Sequence, residues 1–294
     1  MRTLTDLAKD QMKAEPELSF DRSDIERRIG FPAGQFTAAG PLLPFLVGLI
    51  LTVAFYGVLA MLPPSDYVDM FTKRGAVQYI IMFFSFWSGM ILIVKNSKVG
   101  LQRKALGINL LPAEDPGFVL TAASAQQVLE NLYRTVDDPQ RFLLTKRIHN
   151  ALANLKNIGR VGDVDEILRT QAENDEGIVD SSYTLVRGLI WAIPVLGFIG
   201  TVQGLSQALG SFWAVVSHSN EVGEMRSALQ GVTSGLATAF ETTLVGLVAA
   251  LAIHLVMILI KRREEQFLDA CKDYCQKYVV GRLRLTAVQE ESLE

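Results

Sequence analysis

Side chains able to hold or pass a proton stand inside otherwise apolar text at two places in this 294-residue chain. Thr201 and Gln203 fall in one such stretch; Glu241, Thr242 and Thr243 fall in another, where Glu241 is the only charged residue between Ser227 and Ile260. A threonine hydroxyl both donates and accepts a hydrogen bond, which suits a water-filled relay. An ionised carboxylate at membrane depth costs a few kcal/mol, which makes an intramembrane glutamate a functional candidate by default. At about 1.5 Å per helical residue, Thr201 lies roughly 20 Å along from Gly188 and Thr243 roughly 26 Å from Ile260, so the two hydroxyls share a level. Antiparallel pairing then sets Gln203 level with Glu241. Thr201 and Gln203 point about 200° apart on a helix, so the threonines line one surface and the Gln and Glu another. Either surface could carry the path. Glu241 has three candidate partners: interfacial water, Gln203, or a cation from another chain, in a role in ion passage or in assembly.

Small residues surround these groups. Gly197, Gly200 and Gly204, with Pro194 ahead of them, in the first stretch, and Gly235, Ala239, Thr243 and Gly246 in the second, put small residues at spacings of three and four, which lets membrane helices approach closely. The elements that must carry them are long apolar runs. Leu42 to Leu62, Ala76 to Val94 and Gly188 to Ser217 contain no charged side chain, and the fourth run is 231–260. Roughly 18 or more apolar residues cross the hydrocarbon as a helix that satisfies its own backbone, and no run shows the charged face of a soluble core helix. The hydrophobic share of 49% fits this reading. The expected fold is an all-α integral membrane protein with four transmembrane helices, spans three and four being extended into a cytoplasmic helical domain.

Lysines and arginines at the ends of the runs set the orientation. Arg22, Arg27 and Arg28 precede the first span, Lys95, Lys98, Arg103 and Lys104 follow the second, and Lys261, Arg262 and Arg263 follow the fourth. The positive-inside rule places both termini and the long middle segment in the cytoplasm. The chain divides into a leader, 1–40, without the pattern of a cleavable signal; a hairpin, 41–94, with spans 41–62 and 76–94; a cytoplasmic helical segment, 95–187; a core, 188–262, with spans 188–217 and 231–260; and a C-terminal helix and tail, 263–294. Asp138 followed by Pro139 predicts a helix start, with Gly159 and Gly162 as stop and restart. From Asp163 the helical period continues into the third span, which predicts one unbroken helix with a bend at Pro194; the fourth run likewise continues past Arg263 towards Tyr278.

Cys271 and Cys275 read as structural, because the pair supplies too few ligands for a metal. Basic and acidic residues balance in the middle segment, so it is no polybasic lipid-binding patch, and nothing points to nucleic acid. No phosphate loop, nucleophile elbow or metal-ligand cluster is present, so the expectation is a protein that is not an enzyme and needs no metal or cofactor. His149 is the single histidine of the cytoplasmic segment, and His254, Trp87, Trp191 and Trp213 fit packing or interfacial positions.

Pro194, Leu196, Gly197, Gly200, Thr201, Val202 and Gly204, followed by Thr242, Thr243, Gly246, Leu247 and Ala250, resemble the MotA/TolQ/ExbB proton-channel family over residues 163 to 262. The resemblance implies a homopentamer in the lipid bilayer of a bacterial inner membrane, surrounding copies of a single-span partner with a membrane Asp, similar to ExbD, TolR or MotB. It implies that Thr201 and Thr243 face that carboxylate, with Thr242, Glu241 and Gln203 also lining the pore. The ion would be H⁺, with Na⁺ as the other candidate, and its flow would do mechanical work on the partner. The sequence departs from the common pattern in having a two-span hairpin before the cytoplasmic segment, no proline in span four, and Glu241 just ahead of the threonine pair. A passive membrane scaffold that anchors a cytoplasmic helical domain is the rival reading.

Overall fold

The computed structural model describes residues 18–108, 110–111, 118–153, 155, 161–218 and 222–284. The described residues are helical apart from turns and two isolated bridges, and four helices are long and apolar enough to cross a membrane. The protein is an all-α membrane protein. In chain order its helices are α1 (Phe20–Ser23), α2 (Ile25–Arg28), α3 (Leu42–Met61), α4 (Asp66–Thr72), α5 (Ala76–Lys104), α6 (Ala122–Thr135), α7 (Leu143–Ala153), α8 (Val161–Ser181), α9 (Thr184–His218) and α10 (Val222–Tyr278). They fall into two compact units: Met1–Gly40, Lys95–Ser182 and Lys261–Glu294 form the first, and Pro41–Val94 and Tyr183–Ile260 the second.

The second unit is built from the apolar runs. Its core joins Val77 and Ile81 of α5, Ile193 of α9, and Val245 and Ala250 of α10. Helices α3 and α5 close on each other at Gly48, where a Cβ would lie 2.9 Å from the Trp87 Cα, so only glycine permits the approach. Phe45 meets Phe83 and Trp87 edge-on beside that contact, which fills the space the glycine opens. The connection between α3 and α5 contains α4, a short helix not legible in the Pro63, Pro64, Ser65, Asp66 string; the Ser65 hydroxyl accepts from the Val68 N–H and caps it. Large apolar side chains remain uncovered, including Phe198 at 66% and Leu209 at 65% on α9 and Phe240 at 71% on α10. Water penalises such a surface and lipid does not.

The first unit is an ordinary water-type core with charges sealed inside it. Helix α6 packs on α7 and α7 on α8, around Leu132, Phe142, Leu144, Ile148 and Val164, all at or below 1% exposure. Helix α6 opens with a reciprocal cap: Thr121 Oγ1 accepts the Ser124 N–H at 3.3 Å, and Ser124 Oγ accepts the Thr121 N–H at 2.8 Å. The expected helix start at Asp138 and Pro139 is instead a turn. Asp138 Oδ1 accepts the Gln140 N–H at 3.0 Å, a local bond that competes with helix, and α7 begins only at Leu143. The expected unbroken helix from Asp163 into the third span is interrupted at Ser182 and Tyr183, between α8 and α9. There the Ser182 N–H is shared between the Ile178 and Val179 carbonyls at 3.1 and 3.2 Å, and the Ser181 and Ser182 hydroxyls bond the same two oxygens, a tightened last turn that closes α8. The α10 prediction holds, and that helix runs on to Tyr278. Gly159 lies outside the described residues, and Gly162 sits in the first turn of α8.

The leader is not merely a polar extension where it is described. Leu18 bridges Val136 as a parallel β pair, and Leu120 bridges Leu283 in the same way. Glu26 is fully buried: one of its oxygens accepts the Gly40 N–H at 2.7 Å and the other pairs with Lys98. Lys98 also donates to the Ala38 carbonyl at 2.8 Å, with Asp24 3.6 Å away. Next to it along α5, Lys95 donates to Ser182 Oγ at 2.7 Å and pairs with Glu264 at 3.4 Å, while Thr37 hydrogen-bonds the same carboxylate. Burial pushes the Lys95 ammonium below its ordinary range, against the pull of Glu264, and pushes the Asp24 carboxyl up despite Lys98. Arg147 and Asp175 make a further buried pair at 2.8 Å, and burial pushes the neighbouring Cys275 thiol up to about 12.

Candidate functional site: a hydroxyl pair between two glycine-lined helices

Helices α9 and α10 meet along a line of small residues. A Cβ on Gly197 would lie 3.1 Å from the Thr242 carbonyl oxygen, and one on Gly246 would lie 3.1 Å from that of Ile193. A Cβ on Gly235 would lie 2.6 Å from the Gly204 carbonyl, and one on Gly204 would clash with Gly235 and Ala239. Gly200 faces the side chain of Thr242, which fills the place a methyl would take. All five glycines singled out in the sequence are buried, while Pro194, inside α9, is half-buried. Such contact lets backbone dipoles and short side chains interact directly.

Thr201 and Thr243 meet at this line. Their hydroxyls hydrogen-bond each other. Thr243 Oγ1 also lies 3.0 Å from the Gly197 carbonyl oxygen and 3.2 Å from that of Ala239; Thr201 Oγ1 lies 3.2 Å and 3.3 Å from the same two oxygens. Two hydroxyls can donate only two hydrogens, so four carbonyl contacts plus a mutual bond exceed what is available at once. More than one arrangement of the two hydrogens is therefore open to the pair. Both side chains are half-buried.

The neighbouring polar residues go elsewhere. Thr242 is fully buried and bonds the Thr238 carbonyl at 2.8 Å, so its hydroxyl is taken up by its own helix. Gln203 is exposed. Glu241 reaches neither Gln203 nor an open face: Arg74, in the connection between α4 and α5, grips it with Nε to Oε2 at 2.7 Å and Nη2 to Oε1 at 2.9 Å. The cation was thus in the same chain. The signal in the sequence is that Glu241 needs a cation and that this connection holds Lys73 and Arg74. His254 is exposed on α10. Among the described residues no group of His, Cys, Asp and Glu side chains could hold a metal.

The fold and the site define a polytopic α-helical membrane protein in which two glycine-lined helices hold a shared hydroxyl pair at their contact. Comparison with curated proteins and with solved structures gives no match. Residues 136–272, which run from the end of α6 far into α10, match the model of the MotA/TolQ/ExbB proton channel family. The family supplies the proton channels of energy-transducing motor complexes.

Proposed function

We propose that this chain is the channel subunit of an inner-membrane motor complex that uses the proton-motive force to do mechanical work on a single-span partner bearing a membrane Asp. The observation that carries the reading is the Thr201 and Thr243 pair, with more acceptors around it than hydrogens to satisfy them. In this proposal the ring is a homopentamer, both termini are cytoplasmic, and the ion is H⁺. Thr201 and Thr243 line the path, Gln203 lies on the other, exposed face of α9, and Thr242 supports the pair by filling the Gly200 notch. Glu241, two positions ahead of Thr243, forms with Arg74 an ion pair of zero net charge. One charge crossing 100 mV releases about 2.3 kcal/mol, so useful work needs repeated steps.

A passive scaffold is the second reading, favoured by the fact that both hydroxyls already contact backbone carbonyls of their own two helices. Proton uptake into proteoliposomes that hold the chain with its single-span partner separates the two. The channel reading expects Thr201→Val and Thr243→Val each to lower uptake by about tenfold or more, the worth of one well-placed polar group, while the complex stays assembled. Unchanged uptake in both variants leaves the scaffold.

A further inference from the structure

Three cations from two distant parts of the chain converge on one cleft of the first unit. Arg27 comes from α2, Arg141 from the turn ahead of α7, and Lys146 from α7 itself. The cleft has a volume of about 320 Å³, and its lining includes Phe20, Phe36 and Gln140. This is the lower end of the size range of small-molecule sites, with the usual mixture of apolar wall and a few convergent polar groups.

The present state of the cations shows what they can hold. Arg141 Nη1 hydrogen-bonds Asp21 Oδ1, and Arg27 Nε lies 3.7 Å from the same oxygen. Two guanidiniums therefore close on a single anionic oxygen. Asp21 is 59% exposed, so this carboxylate can leave towards solvent without opening the core. Lys146 Nζ lies 4.7 Å from the centre of the Phe36 ring and so faces a π surface there. Phe36 itself has φ 51, the sole positive φ outside glycine among the described residues, and yet it is 4% exposed. A bulky residue in that region is strained, and such strain concentrates where a site must be shaped. Arg141 also meets Asp138 at 3.0 Å, so the three cations face two carboxylates and keep an excess of positive charge.

We propose that this cleft binds a phosphoryl group, which takes the place of the Asp21 carboxylate between Arg27 and Arg141 and gains Lys146 as a third cation. A phosphoryl group carries up to two charges and three strong acceptor oxygens, and the guanidinium fork matches it. The apolar rings of Phe20 and Phe36 give its organic portion a wall. The phosphoryl group could belong to a soluble phosphate ester or to a lipid headgroup. This inference stands apart from the proton path and does not depend on it.

The test uses the full chain in neutral detergent, titrated by calorimetry at low salt with inorganic phosphate, with adenosine monophosphate and with dioctanoyl phosphatidic acid. Saturable binding of the phosphate or the nucleotide assigns a soluble ester; binding of the lipid alone assigns a headgroup; either supports the site. Arg27→Gln and Lys146→Gln should each weaken binding by about tenfold, the worth of one charge-assisted hydrogen bond. Asp21→Asn, which removes the resident competitor, should strengthen it. The proposal is overturned if none of the three probes binds saturably, or if the three variants, with unfolding midpoints like the parent, bind as the parent does. Because Asp21→Asn is expected to gain affinity, its result cannot be mistaken for loss of the fold.

Discussion

Arg74 and Glu241 are 167 positions apart and hold two hydrogen bonds, with side chains 15% and 27% exposed. Removing one partner strands the other's charge in a poorly hydrated place, whereas removing both does not. Unfolding in detergent should therefore show Arg74→Ala and Glu241→Gln each destabilising, and a double variant less damaged than the sum, with a coupling of roughly 1–3 kcal/mol. A coupling near zero would mean that the pair is a solvated contact. Cys275 gives a second prediction at this scale. Its thiol is raised from 9.0 to about 12 by burial, so the folded chain holds the proton more tightly than the unfolded one. Its contribution to stability is whole below pH 9.0 and is lost as pH rises towards about 12. At neutral pH iodoacetamide should leave Cys275 unmodified until denaturant is added. Rapid labelling of the native chain would contradict the burial.

The contact between α9 and α10 depends on what is missing from it. Gly204→Ala and Gly235→Ala each place a methyl against opposing backbone, which cannot give way as a flexible side chain can. Each should cost about 1–3 kcal/mol, read as a lowered unfolding midpoint. Gly210→Ala, on the same α9 but with open space around the new methyl, is the control and should be neutral or stabilising. Equal losses at all three positions would show that helix propensity rather than contact governs the result. This element was legible in advance, because small-residue spacing is a local pattern and an apolar run of spanning length has few solutions. Helix ends were less legible. The Asp138 turn and the break at Ser182 were decided by side chains bonding nearby backbone, a competition that helical periodicity does not register.

Across the whole chain, the charges that anchor the first unit were the hardest to foresee. Lys95, Lys98, Glu26 and Glu264 read as ordinary flanking charges at helix ends or in a polar leader, yet each is at most 1% exposed. Their pairings join positions up to 169 apart, and no local pattern encodes that. Lys98→Ala should leave Glu26 buried without its cation, at a cost of about 3–5 kcal/mol. Hydrogen exchange should then show early loss of protection around Gly40 and Ala38, whose backbone groups share the site. Protection equal to that of the parent would mean that residues 18–40 are held by apolar contacts alone. The Arg74 and Glu241 pair has an electrical consequence as well. A carboxylate and a guanidinium that move together carry zero net charge, so a transmembrane voltage does no net work in displacing them, against about 2.3 kcal/mol per 100 mV for a lone charge. The chain can therefore keep a glutamate in its longest apolar helix and remain deaf to the membrane potential at that position. If the chain conducts as proposed, Glu241→Gln leaves Arg74 as a lone charge, and current–voltage curves in planar bilayers should be steeper than those of the parent; equal steepness would contradict the pairing's electrical role.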